Sequence, residues 1–276
     1  MLCKVTTGIV VDMNTTSESG STTPGIHLLK EGHVAHIVLD LPHSQNCFRP
    51  AQVHELRQRL DEALAQHARC IVIRGARAVF SAGWDLTSVN PATDKPSDVI
   101  THIVAPALTH LRTLPVPTIA AVAGPALGFG LGIALSCDIT LAADDALFGS
   151  PFRNIGMLPD SATHYFLLHR LGYPLAAKLI YTGRLVSGTE ACNMRLINRS
   201  VPGAQLLHDA QTLATQIANG PTQAFRLSKQ ILLQGGDFAT MLAYEAEYLN
   251  TVFHTHDFHE GLRAFQERRP PAFAGR

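Results

Sequence analysis

What this chain has little of narrows its role first. Charge is scarce at 16% of 276 residues, and the 22 Lys and Arg balance the 22 Asp and Glu. A neutral surface gives no electrostatic reason to expect nucleic acid or a membrane as partner. No apolar run reaches membrane-spanning length. The N-terminus has no basic stretch followed by a sustained apolar one, so no signal peptide is read there. The five cysteines are odd in number, scattered and without a C-x-x-C pair, which excludes a disulfide framework or a thiolate zinc site as the organising principle. Cys47, Cys70, Cys137 and Cys192 instead read as small hydrophobes in a reducing compartment, so a cytoplasmic location is expected. There is one tryptophan, and no helical repeat of fixed length.

What is present is a 46% hydrophobic composition, ample for a large core in one large domain or a domain plus an appendage. Residues 1–25 form a polar tract expected to stay outside the fold. Ile26–Lys30 and Val34–Leu41 read as paired strands. A helix opens at Pro50, with Val53, Leu56, Leu60 and Leu64 on one face. Cys70–Arg74, Pro117–Ala123 and Ile139–Ala143 are short continuous apolar runs, the pattern of buried strands. Ser97–Leu111 reads as a helix kinked at Pro106, Ser161–Leu171 and Pro174–Tyr181 as two helices, and Leu196–Val201 as a strand. Strand and helix alternate, which indicates an α/β fold. Beyond a boundary near residue 202, helices follow near 204–218, 221–234, 237–251 and 256–268. The divisions expected are thus 1–25, 26–202 and 203–276.

Between the strand at 117–123 and a helical run lies Gly124-Pro-Ala-Leu-Gly-Phe-Gly-Leu-Gly132. Glycine allows close backbone approach, and the first N–H groups of a helix lack intrahelical partners. Such a turn can present N–H donors and a positive dipole end to a developing oxyanion. A second stretch, Phe80-Ser-Ala-Gly-Trp-Asp-Leu86, leaves the strand at 70–74 through a glycine, so that two donors can converge.

These stretches, with Phe148-Gly-Ser-Pro-Phe-Arg-Asn-Ile-Gly-Met-Leu-Pro-Asp160, Tyr181–Ser187 and Glu260–Pro270, resemble the enoyl-CoA hydratase/isomerase (crotonase) superfamily over roughly residues 26–276. The resemblance implies a spiral of ββα units with a C-terminal helical region that mediates trimers and often dimers of trimers. It implies an acyl-CoA thioester as substrate, no separate cofactor and no metal. The backbone N–H groups of Trp84 and Phe129 would hold the thioester oxygen. Ala82, Gly83, Gly128, Gly130, Gly132, Phe152 and Arg268 would contact the substrate, Ala82 at the adenine and Arg268 at the CoA phosphates.

The two glutamates of the family's hydratases align with Gly132 and Phe152, neither of which titrates, so the reaction has to be argued from the site. One acid remains. Asp160 stands where several double-bond isomerases of the superfamily carry a catalytic acid, and its surroundings most resemble the ring-1,2-epoxyphenylacetyl-CoA isomerase group and related enoyl-CoA isomerases. A single carboxylate suffices to shift a C=C bond or rearrange an epoxide through an enolate, and Trp84, Phe129 and Phe152 are expected to desolvate it. Alternatives stay open: Asp160 as an N-cap of the following helix, Asp160 as nucleophile or water-activating base of a hydrolase or dehalogenase, and a non-catalytic acyl-CoA binder. His164, one turn on, reads as an ordinary helix residue, and His254, His256 and His259 as a solvated helix start rather than a zinc site.

Overall fold

The computed structural model describes residues 23–276. The reading of residues 1–25 as a tail therefore lies almost wholly outside the described residues. Strand β1 (Gly25–Glu31) turns at Gly32 and pairs antiparallel with β2 (Val34–Asp40). Helix α1 (Pro50–Ala65) buries Val53, Leu56 and Leu60 and returns the chain to β3 (Cys70–Gly75), which lies parallel to β2. Helices α2 (Pro96–Val99) and α3 (Ala105–Thr113) are joined by a π turn over Ile100–Val104, and β4 (Thr118–Val122) follows. The proline kink expected at Pro106 is replaced by that π turn. A proline cannot donate to the carbonyl one turn back, and the wider turn just before it absorbs the mismatch.

The two-residue strand β5 (Ala126–Leu127) leads into α4 (Phe129–Ser136), every residue of which is buried. A helix apolar on all sides belongs at the centre of a fold. Strands β6 (Ile139–Ala143) and β7 (Leu147–Gly149), the long helix α5 (Thr163–Thr182), β8 (Val186–Ser187), α6 (Gly188–Asn193) and β9 (Arg199–Val201) complete this part. Gly172, at φ 73°, divides α5 ahead of Pro174, giving the two helices read from the sequence. The strand expected over 196–201 is shorter. The Leu196 and Ile197 N–H groups both donate to the Ala191 carbonyl, closing α6 instead of joining a ladder.

One sheet has the order β1-β2-β3-β4-β6-β9, parallel from β2 onward, and a smaller one the order β5-β7-β8. Parallel strands are covered on both faces, so β3 and β4 read as unbroken apolar runs. Helices α7 (Leu206–Ala218), α8 (Thr222–Gln234), α9 (Phe238–Phe253) and α10 (His256–Gln266) follow. The buried Lys229 of α8 reaches Asp138 at 2.8 Å and the Val116 carbonyl at 3.2 Å, clamping α8 to the ends of the sheet. Buried Arg69 donates to Thr222 and to the Gly220 and Phe273 carbonyls, and Asp257 accepts from the Ala274 and Gly275 N–H groups. Helix α9 buries no residue, and Phe238, Leu249 and Phe265 are exposed.

Candidate active site

The segment leaving β3 is held beside β5 and beside Phe48. The Ser81 N–H donates to the Pro125 carbonyl and the Leu127 N–H to the Ser81 carbonyl, at 2.8 and 3.0 Å. The Phe48 N–H donates to the Gly83 carbonyl and the Asp85 N–H to the Phe48 carbonyl, at 2.8 and 2.9 Å. Neighbouring residues of an extended chain point their peptide groups to opposite sides, so the Trp84 N–H faces away from Phe48. Gly83 is at φ 105°, and a Cβ there would lie 2.7 Å from the Leu127 carbonyl oxygen and 3.5 Å from the Phe129 nitrogen. Only glycine permits that approach, and it sets the 83–84 backbone against the start of α4. Phe129 is the first residue of α4. Among the described residues, neither the Trp84 nor the Phe129 N–H has a hydrogen-bond acceptor. Two unspent main-chain donors thus lie close together, one of them at a positive helix end.

Three residues missed in the sequence reading hold this arrangement. The Ser81 hydroxyl donates to the Asn46 carbonyl at 2.7 Å and accepts from the Gly83 N–H at 3.1 Å. Asn46 donates its amide to the Val79 and Phe80 carbonyls and accepts the Leu41 N–H. Asp85 caps the next turn through Thr87 and pairs with Arg49 at 2.7 Å; the Thr87 hydroxyl is the main cause of its lowered pKa. The one available signal was Asn46 itself, a residue type that tolerates its φ of 54°. The rings of Phe48 and Trp84 meet Phe129 edge to face, at centroid distances of 5.1 and 6.0 Å.

Helix α4 packs against both the Ser81 loop and the Asp160–Ser161 turn, and its glycines set the spacing. A Cβ at Gly130 would lie 2.5 Å from the Ser81 carbonyl oxygen, whereas one at Gly132 would lie 2.6 Å from the Ser161 carbonyl oxygen. Residues two apart on a helix face different ways, so α4 meets Ser81 with Gly130 and the Asp160–Ser161 turn with Gly132. Gly128, at φ 50°, lies under the Phe152 ring, whose edge would be 3.2 Å from a Cβ there.

Asp160 is not a helix cap. Helix α5 begins at Thr163, its N-cap is Ala162, and no side chain caps it. Ser161 and Ala162 both occupy the left-handed region, at φ 52° and 61°, a costly pair for residues with a Cβ. The Ser161 hydroxyl donates to the Asp160 carboxylate at 2.8 Å. Burial raises the Asp160 pKa above the ordinary carboxylate range, and the Ser161 bond offsets part of that rise. Ser161 is its only side-chain hydrogen-bond partner among the described residues.

Other expected residues stand apart from this pair. The Ala82 N–H is spent on the Gln45 carbonyl at 3.0 Å, leaving its carbonyl available. Arg268 is exposed in the left-handed turn after α10, with no ion pair among the described residues. His164 is exposed and does not bond Asp160. Among the described residues no three His, Cys, Asp or Glu side chains gather as a metal site. Cys70 and Cys137 are buried, and burial pushes both thiols up to about 12.

The model of the enoyl-CoA hydratase/isomerase family matches residues 30–276. The chain belongs to that family. It is 33% identical over 250 residues to a probable enoyl-CoA hydratase of Rhodobacter capsulatus, covering 90% of this chain and 96% of the relative. It is 34% identical to the mitochondrial enoyl-CoA hydratase domain-containing protein 2 of Bos taurus, covering 88% and 84%. The crystal structure of an enoyl-CoA hydratase from Bacillus anthracis superposes with a TM-score of 0.86 at 31% identity, covering 91% of this chain and 100% of that one. The crotonase-like architecture and its C-terminal helical region are therefore those of this enzyme family, whose members act on acyl-CoA thioesters. No described helix of this enoyl-CoA hydratase/isomerase family member is long and apolar enough to cross a membrane.

Proposed function

We propose that this enoyl-CoA hydratase/isomerase family member is an isomerase that shifts a C=C bond in an acyl-CoA thioester, with Asp160 as its only proton carrier. The observation that carries the reading is a half-buried carboxylate of raised pKa on the turn that packs against Gly132 of α4, while the two positions that align with the glutamates of the family's hydratases, Gly132 and Phe152, cannot titrate. Hydration needs water activated and a proton delivered. A 1,3-shift needs one base that returns what it takes.

In the proposed step the thioester oxygen accepts from the Trp84 and Phe129 N–H groups. The Asp160 carboxylate removes a proton from the carbon next to the thioester. The C–H electron pair enters the enolate and the distal double bond becomes part of a dienolate. Asp160 then returns the proton to the far carbon as the thioester carbonyl re-forms, so nothing is oxidised and no water is consumed. Two preplaced donors on the developing oxyanion contribute several kcal/mol, and a base tuned toward neutrality contributes about 10²–10⁴-fold. CoA enters as part of the substrate, with Ala82 and Arg268 as its contacts. The exposed apolar residues of α9 and α10 support assembly as a trimer or hexamer, for which sedimentation gives three or six times 29.8 kDa.

The test is proton exchange in D₂O with a 3-enoyl-CoA, followed by NMR. Wild type incorporates deuterium next to the thioester and accumulates the 2-enoyl isomer. Asp160→Asn loses both while still binding CoA thioesters. Undiminished exchange in that variant, or release of free acid as the main product, rejects the assignment, as does release of halide from a haloacyl-CoA offered in a parallel assay.

A further inference from the structure

Next to the Asp160–Ser161 turn lies a cavity of about 150 Å³ between that turn and the helix carrying the π turn. Ile100, Val104 and Leu108 form its apolar wall, Ala105 and Thr109 its exposed mouth, and Ser161 its inner corner. Residues 100, 104 and 108 share one helical row, as do 105 and 109, so the cavity lies along two turns of the helix. The same corner adjoins α4: a Cβ on Gly132 would stand 3.0 Å from the Ser161 Cβ and 3.3 Å from the Leu108 Cδ1. The absence of a side chain at 132 therefore keeps α4 from filling the junction between the Asp160 turn and the cavity wall.

We infer that this cavity receives the apolar end of the acyl group, selecting thioesters that end in a compact uncharged hydrocarbon of about six carbons, branched or ring-shaped. The inference rests on Asp160 as the proton carrier of the preceding reading. Carbons that react at Asp160 have their next neighbours beside Ser161, whose hydroxyl lies 2.8 Å from the carboxylate. No charged side chain lines the space, so a carboxylate or ammonium end has no counter-charge there. An apolar cavity near 150 Å³ holds a benzene-sized group, whereas an acetyl group leaves most of it unfilled.

Binding of saturated, unreactive thioesters tests this without requiring turnover. In calorimetric titrations the full chain is expected to bind hexanoyl-CoA and 3-phenylpropionyl-CoA at least tenfold more tightly than acetyl-CoA. Ala105→Phe and Thr109→Phe, both at exposed positions on the mouth, are expected to weaken the two larger ligands at least tenfold more than acetyl-CoA. Equal affinity for all three in wild type overturns the inference, as does an equal loss for all three in both variants. A change in sedimenting mass in the variants, with the ligand ranking kept, assigns the cavity to a second copy of the chain and also overturns it. Because no bond is made or broken, these outcomes are independent of the Asp160→Asn exchange experiment.

Discussion

Replacing Gly132 by alanine adds one methyl group at the point where α4 meets the Asp160 turn. Local propensity favours the change, because alanine is better than glycine inside a helix by about 1 kcal/mol. Packing opposes it: the new Cβ would stand 2.6 Å from the Ser161 carbonyl oxygen and 3.0 Å from its Cβ. Helix α4 is buried on every side, so the Ser161–Ala162 pair, already in the left-handed region, is the part that yields. Overpacking of this kind costs about 1–3 kcal/mol. The two effects nearly cancel, leaving about 0–2 kcal/mol of destabilisation and a melting temperature lower by at most about 8 °C. Catalysis has no such offset. A retreat of about 1 Å by the turn carries the carboxylate with it, and a misplacement of that size costs about 10²-fold. The expected signature is thus a near-native melt with kcat for deuterium exchange down about a hundredfold. Gly132→Glu, with the same Cβ and a longer chain, is expected to lose exchange without acquiring hydration of a 2-enoyl-CoA. Wild-type exchange in Gly132→Ala refutes the interlock between α4 and the turn; hydration by Gly132→Glu refutes the view that the turn occupies that space.

Exchange activity should fall as pH drops through the raised Asp160 pKa, since the base must be ionised. Ser161→Ala removes a bond that lowers that pKa, so the acid limb of the pH–rate profile moves further up, which a purely structural loss would not do. A carboxyl group raised on folding weakens the fold once ionised. Asp160→Asn is therefore expected to melt higher than wild type at neutral pH, with the gain vanishing in acid below the ordinary carboxylate range; a lower melting point at neutral pH contradicts the desolvation argument. Lys229→Ala removes the α8 clamp; Asp138 is exposed and keeps its Thr118 hydrogen bonds, so the expected cost is that of a lost charge-assisted hydrogen bond, about 1.5–3 kcal/mol. Denaturant titration showing under 1 kcal/mol would mean that α8 is held by its apolar contacts alone.

Much of this architecture is legible in the chain because parallel strands covered on both faces leave unbroken apolar runs, as at 70–74 and 118–122. The C-terminal helices are legible through the breaks at Asn219-Gly-Pro221, Gly235-Gly236 and His254, and the structure adds caps at Asp237 and Thr255, whose side chains accept from N–H groups three residues on. The contributions of Ser81 and Asn46 are not, since each bonds main-chain groups more than thirty residues away and no local pattern encodes that distance. Asp160 is legible as an acid but ambiguous as a cap: Pro-Asp-Ser ahead of a helix suits both, and only the left-handed turn at 161–162 separates them. The π turn escaped because Pro106 signals a disruption without saying how the helix absorbs it.

The amides of residues 84 and 129 belong to the main chain, so no substitution short of proline deletes them, whereas the acid is a side chain on the separate turn that packs against Gly132. That separation makes the scaffold readily diversified by descent. On the proposed reading, a gene copy that exchanges, moves or drops its acid keeps both amides, so each new chemistry starts from a scaffold already built to hold a thioester oxygen.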